Sequence, residues 1–401
     1  MRGDMKMGSK KLLILVAVLF VAAAALVITA VAHGPIDRKA EDPSSEMTKV
    51  SVTAPAEETE SSEISDNLEE SSQAEVEEVE SSAIEETESS ALEEAESYPY
   101  TDPLTGMGCS EDIASNRPVA AMLNTIGEAL PQSGCSDADI LIEIPEEGGI
   151  TRIMGLFQDV SKVGSIGTIR STRRYYSEIA IGMDAILCHA GGSEDGVSLL
   201  EDYGYATLNQ FTHPDLYWRD QWRLENLAVE HSLYTSGANI QGAIDSGVIN
   251  KTHYDGYSFP WTFTKDGTPQ EGDSAVSLTA QFSSYKRTTF DYDQTSGDYA
   301  VYFFDGQPYL DANNGQQVHV ENVLILQTTQ YTYEDGVHQG FDLTSGSGYY
   351  ACGGKMIPIY WSKGDPTAQF TFTKQDGSPL TMGEGKTYIC LMDYSAPFGH
   401  E

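Results

Sequence analysis

The chain runs to 401 residues and carries 23 Lys and Arg against 61 Asp and Glu, a formal net charge of −38 at pH 7. So acidic a balance excludes a general nucleic-acid binder, which presents a basic footprint. The length leaves room for a sizeable core even after long terminal segments are set aside.

At the N-terminus, Arg2, Lys6, Lys10 and Lys11 precede an uncharged run over 12–32 that is apolar except for Thr29. About 20 such residues suffice for a helix to cross the hydrocarbon core. Basic residues before the run and acidic ones after it place the N-terminus inside and everything downstream outside. The pattern predicts a cytoplasmic n-region over 1–11 and a transmembrane signal anchor over 12–32, with the cell membrane as a partner and an extracellular globular part. Ala30-Val31-Ala32 is also a small-x-small site of the signal-peptidase kind. The run exceeds the roughly 7–15 residues of a cleaved signal, which favours retention.

Residues 33–97 read as a disordered stalk. From Glu41 the composition collapses to Glu, Ser, Ala and Thr, with no aromatic residue and one lysine, Lys49. Such a segment cannot bury enough apolar surface to offset the entropy of ordering. The Glu pairs recur about every eight residues, but the apolar residues between them are too few for a coiled-coil seam. Roughly half of the formal charge sits in this stretch.

Five cysteines, all beyond residue 100, are an odd number for a compartment that permits disulfides. Locality pairs Cys109 with Cys135 and Cys352 with Cys390, and leaves Cys188, in an apolar run, as a buried thiol.

From residue 98 the chain alternates strand and helix signals. Strands are expected over 118–123, 140–144, 150–157 and 185–188. Helices are expected over 173–183, 197–203 and 237–244. This predicts a mixed α/β module over 98–250. After a boundary region at 251–273, short β-rich runs over 276–282, 298–304, 318–327, 348–352, 356–361, 370–373 and 387–392 are separated by turn signals such as Asp305-Gly306 and Asp376-Gly377. They predict an antiparallel β-rich module over 274–395, and an α+β fold class for the chain.

The motifs Arg117-Pro118-Val119-Ala120, Pro131-Gln132-Ser133-Gly134 and Glu147-Gly148-Gly149-Ile150-Thr151-Arg152 together resemble the YerB-like lipoprotein family. Gly167-Thr168-Ile169-Arg170-Ser171-Thr172-Arg173, His189-Ala190-Gly191-Gly192-Ser193 and the stretch 219–236 match further. The late segments 307–323 and 354–387 resemble that family's C-terminal module. The resemblance covers nearly all of 100–395 and implies an exported two-module protein of Gram-positive bacteria, with no established reaction to carry over. The chain departs from it by lacking a lipid-bearing cysteine, and by Glu230 and Ser232 flanking His231 where proline and asparagine are expected.

The chemistry-bearing residues cluster in the first module. Arg152, Arg170, Arg173, Arg174, Arg219 and Arg223 supply guanidinium forks suited to phosphate or carboxylate. The competing reading is internal pairing with Glu143, Glu147, Glu178, Asp184 and Asp220. His189, ending a strand before two glycines, is a candidate proton carrier with Glu147 orienting it, and His231 could join. No close ligand spacing supports a metal, no G-x-S-x-G elbow supports Ser171 or Ser193 as a nucleophile, and no P-loop or cofactor motif is present. The aromatics Tyr217, Trp218, Trp222, Tyr254, Tyr257, Phe259 and Trp261 read as a sugar platform or as core. Two functions follow: an envelope protein that binds an anionic wall polymer or another exported protein, or an envelope enzyme acting on a phosphate- or carboxylate-bearing substrate.

Overall fold

In the computed structural model, which describes residues 98–401, the apolar runs of the first half become strands buried on both faces. In β1 (Val119–Asn124), Val119, Ala121 and Leu123 enter one core cluster while Ala120 and Met122 enter another. This is the period-two division of a strand covered on both sides. β2 (Ile140–Pro145) and β3 (Thr151–Phe157) are buried throughout, with β3 antiparallel to both β1 and β2. After β4 (Ser165–Gly167) comes α1 (Arg174–Gly182), and then β5 (Ile186–His189) parallel to β1. The half is completed by α2 (Glu194–Asp202), β6 (Leu208–Asn209), β7 (Trp218–Arg219), α3 (Gln221–Asn226), β8 (Leu233–Ser236) and α4 (Gly237–Asp245).

The second half is β-rich. Its main strands are β9 (Ser277–Gln281), β10 (Arg287–Asp293), β11 (Asp298–Phe303), β12 (Asn322–Thr328), β13 (Gln330–Thr332) and β14 (Gln339–Phe341). They continue as β15 (Ser345–Cys352), β16 (Lys355–Ser362), β17 (Thr371–Lys374), β18 (Thr387–Asp393) and β19 (Phe398–His400). The expected purely antiparallel arrangement needs correction: β18 is parallel to β12 on one side and to β2 on the other.

That second pairing makes one sheet of both halves. Its order is β16-β15-β12-β18-β2-β3-β1-β5-β6, with β17 and the short strand Asp273–Ser274 both on β16. Residues 251–273, expected as a boundary, therefore connect two halves that share a sheet. A second sheet, β11-β10-β9-β19 with two short strands on β11, packs on one face of the first. Leu278, Phe290, Val301 and Phe303 meet Leu123 and Tyr388 there. On the other face Tyr176, Ile179, Leu199 and Leu200 of α1 and α2 cover Ala120, Met122 and Leu324. Burying each large side chain of this kind contributes about 1.5–3 kcal/mol.

Strand alternation also turns Glu143 of β2 towards the second sheet, where it is fully buried. Its Oε1 accepts from Thr151 Oγ1 at 2.5 Å and from Lys286 Nζ at 3.1 Å, and its Oε2 accepts from Thr288 and Tyr388 at 2.7 Å each. Lys286, equally buried, lies 3.0 Å over the Phe303 ring. A buried charge costs several kcal/mol unless paired and hydrogen-bonded, and here all four donors come from outside β2, three of them from the β-rich half. Burial pushes the Lys286 ammonium down to about 8, against the pull of Glu143.

Two expectations are corrected. The anchor at 12–32 and the stalk at 33–97 lie outside the described residues. Among the described residues no helix is long and apolar enough to cross a membrane, the longest running nine residues. The single-pass placement, and the membrane as a partner, are withdrawn on that finding.

The cysteine pairing is corrected as well, because all five thiols are free and buried. Cys352 on β15 and Cys390 on β18 have β12 between them, three register positions apart, and they enter opposite core clusters. Two strand spacings of about 4.8 Å plus that offset exceed the roughly 7 Å Cα limit for a bridge. Cys109 ends a short strand paired with Tyr100–Thr101, whereas the Cys135 thiol faces the Leu310 carbonyl at 3.7 Å.

Candidate functional site

At one end of the sheet's interior strands the end of β1 meets the start of β3, with Asn124 opposite Arg152. The turn after β2 brings Glu146 and Glu147 to the same place; it reverses within the short helix Glu147–Gly149, where Gly148 and Gly149 adopt φ of 71° and 78°. Positive φ of this kind is cheap only without a Cβ. Arg173, the residue before α1, enters from the opposite side.

These side chains close on one another. Arg152, only 3% exposed, lies 3.1 Å from Glu146 Oε2 through Nη1 and donates to the Ser171 carbonyl at 2.6 Å. Arg173 donates to both Glu147 oxygens, from Nε at 2.9 Å and from Nη2 at 2.7 Å, and its Nη2 is 3.3 Å from Glu146 Oε2. Tyr175 donates to Glu146 Oε1 at 3.1 Å. Burial raises the Glu146 carboxyl to about 7, although Arg152 and Arg173 oppose it. Against the upward push of its own burial, Glu147 is held down to about 2 by the Arg173 bonds. Glu146 had no place in the reading of the sequence, yet it is the carboxylate shared by both arginines.

His189 stands apart from this cluster. It ends β5 fully enclosed, with Nδ1 2.8 Å from the Gly191 carbonyl and Nε2 3.0 Å from Thr207 Oγ1. Both ring nitrogens thus have partners, and burial lowers its pKa. The structure does not bring it to Glu147 or to any of the arginines named above.

The remaining arginines gather on the short helix Val229–His231. Arg219 of β7 donates to the Val229 carbonyl at 2.7 Å, Arg170 to the Glu230 carbonyl at 3.3 Å, and Arg223 of α3 to the His231 carbonyl at 3.5 Å. Arg223 also holds the carbonyls of Ala129 and Pro131, at 2.7 and 2.9 Å. His231 itself is buried, and its Nδ1 lies 2.9 Å from Asn124 Nδ2, which ties the turn to the end of β1. Burial, and then the nearby Arg170 and Arg223, outweigh Glu230 and Glu128 and lower its pKa. Among the described residues none of these three guanidiniums forms an ion pair with a carboxylate, unlike Arg117, Arg152, Arg173, Arg174 and Arg287. Burial and the neighbouring Arg152 bring Arg170 down to about 10, so it stays charged at neutral pH.

Of the aromatic residues singled out in the sequence, Phe259 and Trp261 pack on the core through Phe372. Trp218, Trp222 and Tyr254 are exposed. Trp218 stacks on Tyr234 at 6.0 Å, and the Arg223 guanidinium lies 5.8 Å from the same ring. Among the described residues no three His, Cys, Asp or Glu side chains converge so as to hold a metal ion.

Fold and site together define a protein of two fused halves, mixed α/β then β-rich, in which His189, at the end of β5, is hydrogen-bonded to Gly191 and Thr207 and not to the paired acids and arginines. Residues 104–250 match the N-terminal domain, and residues 278–389 the C-terminal domain, of a protein family of unknown function, DUF3048. The chain belongs to that family. It is 27% identical over 295 residues to the protein named "Putative lipoprotein YerB" of Bacillus subtilis (strain 168), covering 72% of this chain and 85% of that one. The crystal structure of YerB from Bacillus subtilis matches with a TM-score of 0.64 at 27% identity, over 75% of this chain and 99% of that chain.

Proposed function

We propose that this YerB-like envelope protein is a binding protein and not a catalyst. On this reading it holds an anionic group of a cell-wall polymer or of another exported protein against Arg170, Arg219 and Arg223. The observation that carries the reading is that these three guanidiniums are anchored on successive main-chain carbonyls of residues 229–231 and, among the described residues, form no ion pair with a carboxylate. Carbonyl bonds fix a guanidinium without neutralising it. Three such charges around one turn, in a chain this acidic, attract an anion and can offer forked hydrogen bonds to it. A location in the envelope is supported by the relative named a lipoprotein.

The alternative, an enzyme using Arg152, Arg170 and Arg173 as an anion clamp with His189 as proton carrier and Glu147 orienting it, finds less support. Arg152 and Arg173 are already closed on Glu146 and Glu147, and His189 is bonded elsewhere at both nitrogens. A general base needs its partner within about 2.6–3.2 Å of the proton it takes.

The test is binding of the full chain to polyphosphate and to polygalacturonate, measured by calorimetry for wild type and for Arg170→Gln with Arg219→Gln. The expectation is measurable binding to at least one polymer that weakens as salt rises and falls about tenfold or more in the double variant. Equal binding by the two proteins, or none by either, overturns the proposal.

A further inference from the structure

A second groove, remote in sequence from those arginines, opens in the β-rich half. It lies between the end of β9, the β13–β14 hairpin and the residues that follow β18, and has a volume of about 720 Å³. That is within the usual range of small-molecule sites, roughly 300–1,000 Å³. We infer that this groove binds a neutral, hydroxyl-rich glycan.

The argument rests on which polar atoms are engaged. Gln330 Nε2 donates to Gln339 Oε1 at 3.0 Å, and Thr332 Oγ1 donates to the same oxygen at 3.2 Å. Gln339 Nε2 is held in turn by the Val337 carbonyl at 3.1 Å. Gln281 Nε2 donates to the Ser283 carbonyl. Each amide is fixed through its nitrogen, and the side-chain carbonyl oxygens of Gln281 and Gln330 are left as acceptors without a donor among the described residues. Asp393 adds a carboxylate, oriented by the Gln330 amide at 2.8 Å and the Ser395 amide at 2.9 Å.

Among the described residues no lysine or arginine lines the groove. Its chemistry is therefore rich in acceptors and carries negative charge, which selects a ligand that supplies O–H donors and no anion. Tyr331 contributes an aromatic ring 44% exposed, braced edge-on by Tyr333 at 5.4 Å. Such a ring offers an apolar face to the C–H face of a sugar while its edge stays wet. A peptide is the poorer fit, because its backbone brings a carbonyl for every N–H and would set acceptors against acceptors. The internal bonds hold the amides in place before any ligand arrives, which lowers the ordering cost of binding.

The proposal is tested by applying the full chain to an array of neutral oligosaccharides, acidic oligosaccharides and unstructured peptides. Tyr331→Ala and Gln330→Ala are run beside wild type, with thermal unfolding confirming that both variants fold. Neutral oligosaccharides should be retained by wild type and lost about tenfold or more in each variant. The Arg170→Gln and Arg219→Gln chain should retain them unchanged, which separates this site from the anion face. Retention of peptides instead of glycans, absence of any neutral glycan, or retention that survives both substitutions overturns it.

Discussion

The guanidinium of Arg173 and the carboxylate of Glu147 face each other through two parallel bonds of 2.9 and 2.7 Å, across the opening between α1 and the β2–β3 turn. Both are mostly enclosed, at 12% and 20% side-chain exposure. Removing the cation strands Glu147 and leaves Glu146 to Arg152 and Tyr175 alone. Arg173→Gln is expected to lower stability by about 3 kcal/mol, the low end for a buried pair because of the residual exposure. Denaturant unfolding of the purified chain checks this, and a change below about 1 kcal/mol would show that the pair is held loosely in water.

Glu146 makes stability depend on pH. Its carboxyl titrates near 7 in the folded chain, above the ordinary value of 4.5. Between those values the folded state keeps a proton that the unfolded state has lost, so stability falls as pH rises through this window. The contribution is on the order of 3 kcal/mol. Glu147, held near 2, acts oppositely, adding stability as pH rises from about 2 to 4.5. Thermal midpoints from pH 4.5 to 7.5 should decline more steeply in wild type than in Glu146→Gln; parallel slopes would contradict this assignment.

All five cysteines should carry free thiols. Alkylation of the denatured, unreduced chain is expected to add five labels by intact mass. In the native chain labelling should be slow, because the sulfurs are buried and burial raises the Cys188 thiol to about 12, away from the reactive thiolate. Three labels or fewer in the denatured chain would reveal a disulfide.

The buried pair between the halves gives a sharper contrast. Lys286→Met should leave Glu143 with its three hydroxyl donors but no cation, at a cost of roughly 3–5 kcal/mol. Replacing both partners, with Glu143→Gln added, should recover part of that loss. A double variant less stable than the single one would mean that the carboxylate stabilises the junction even without its lysine.

Local patterns in the sequence were enough to place β1, β2, β3, α1 and β5, because continuous apolar runs and four-residue spacings are written within each segment. β10 escaped notice, since Arg287, Asp291 and Asp293 interrupt a strand whose buried face consists of Thr288 and Phe290. The pairing of β18 with β2 joins residues nearly 250 positions apart and leaves no local trace. Without it, Cys352 and Cys390 looked close and the two halves looked separable. The arginines stood out by their scarcity in an acidic chain. Which of them face acids and which face carbonyls depends on chain reversals at Gly148 and at residues 229–231, and spacing says nothing about those. Composition marked out acidic segments at the N-terminus, but it could not foresee that Glu143 and Lys286 would be buried together.

The central claim is that Arg170, Arg219 and Arg223 are the charges left open to an anionic ligand, while Arg152 and Arg173 are closed on their own acids. The most direct measurement follows the Nε–Hε resonances of the arginines by NMR while polyphosphate is titrated into the full chain. The account predicts that the signals of Arg170 and Arg219 move in a saturable way, with Arg173 unmoved beside Glu147. Saturable movement of Arg173 with Arg170 and Arg219 fixed, or no movement at all, would contradict it.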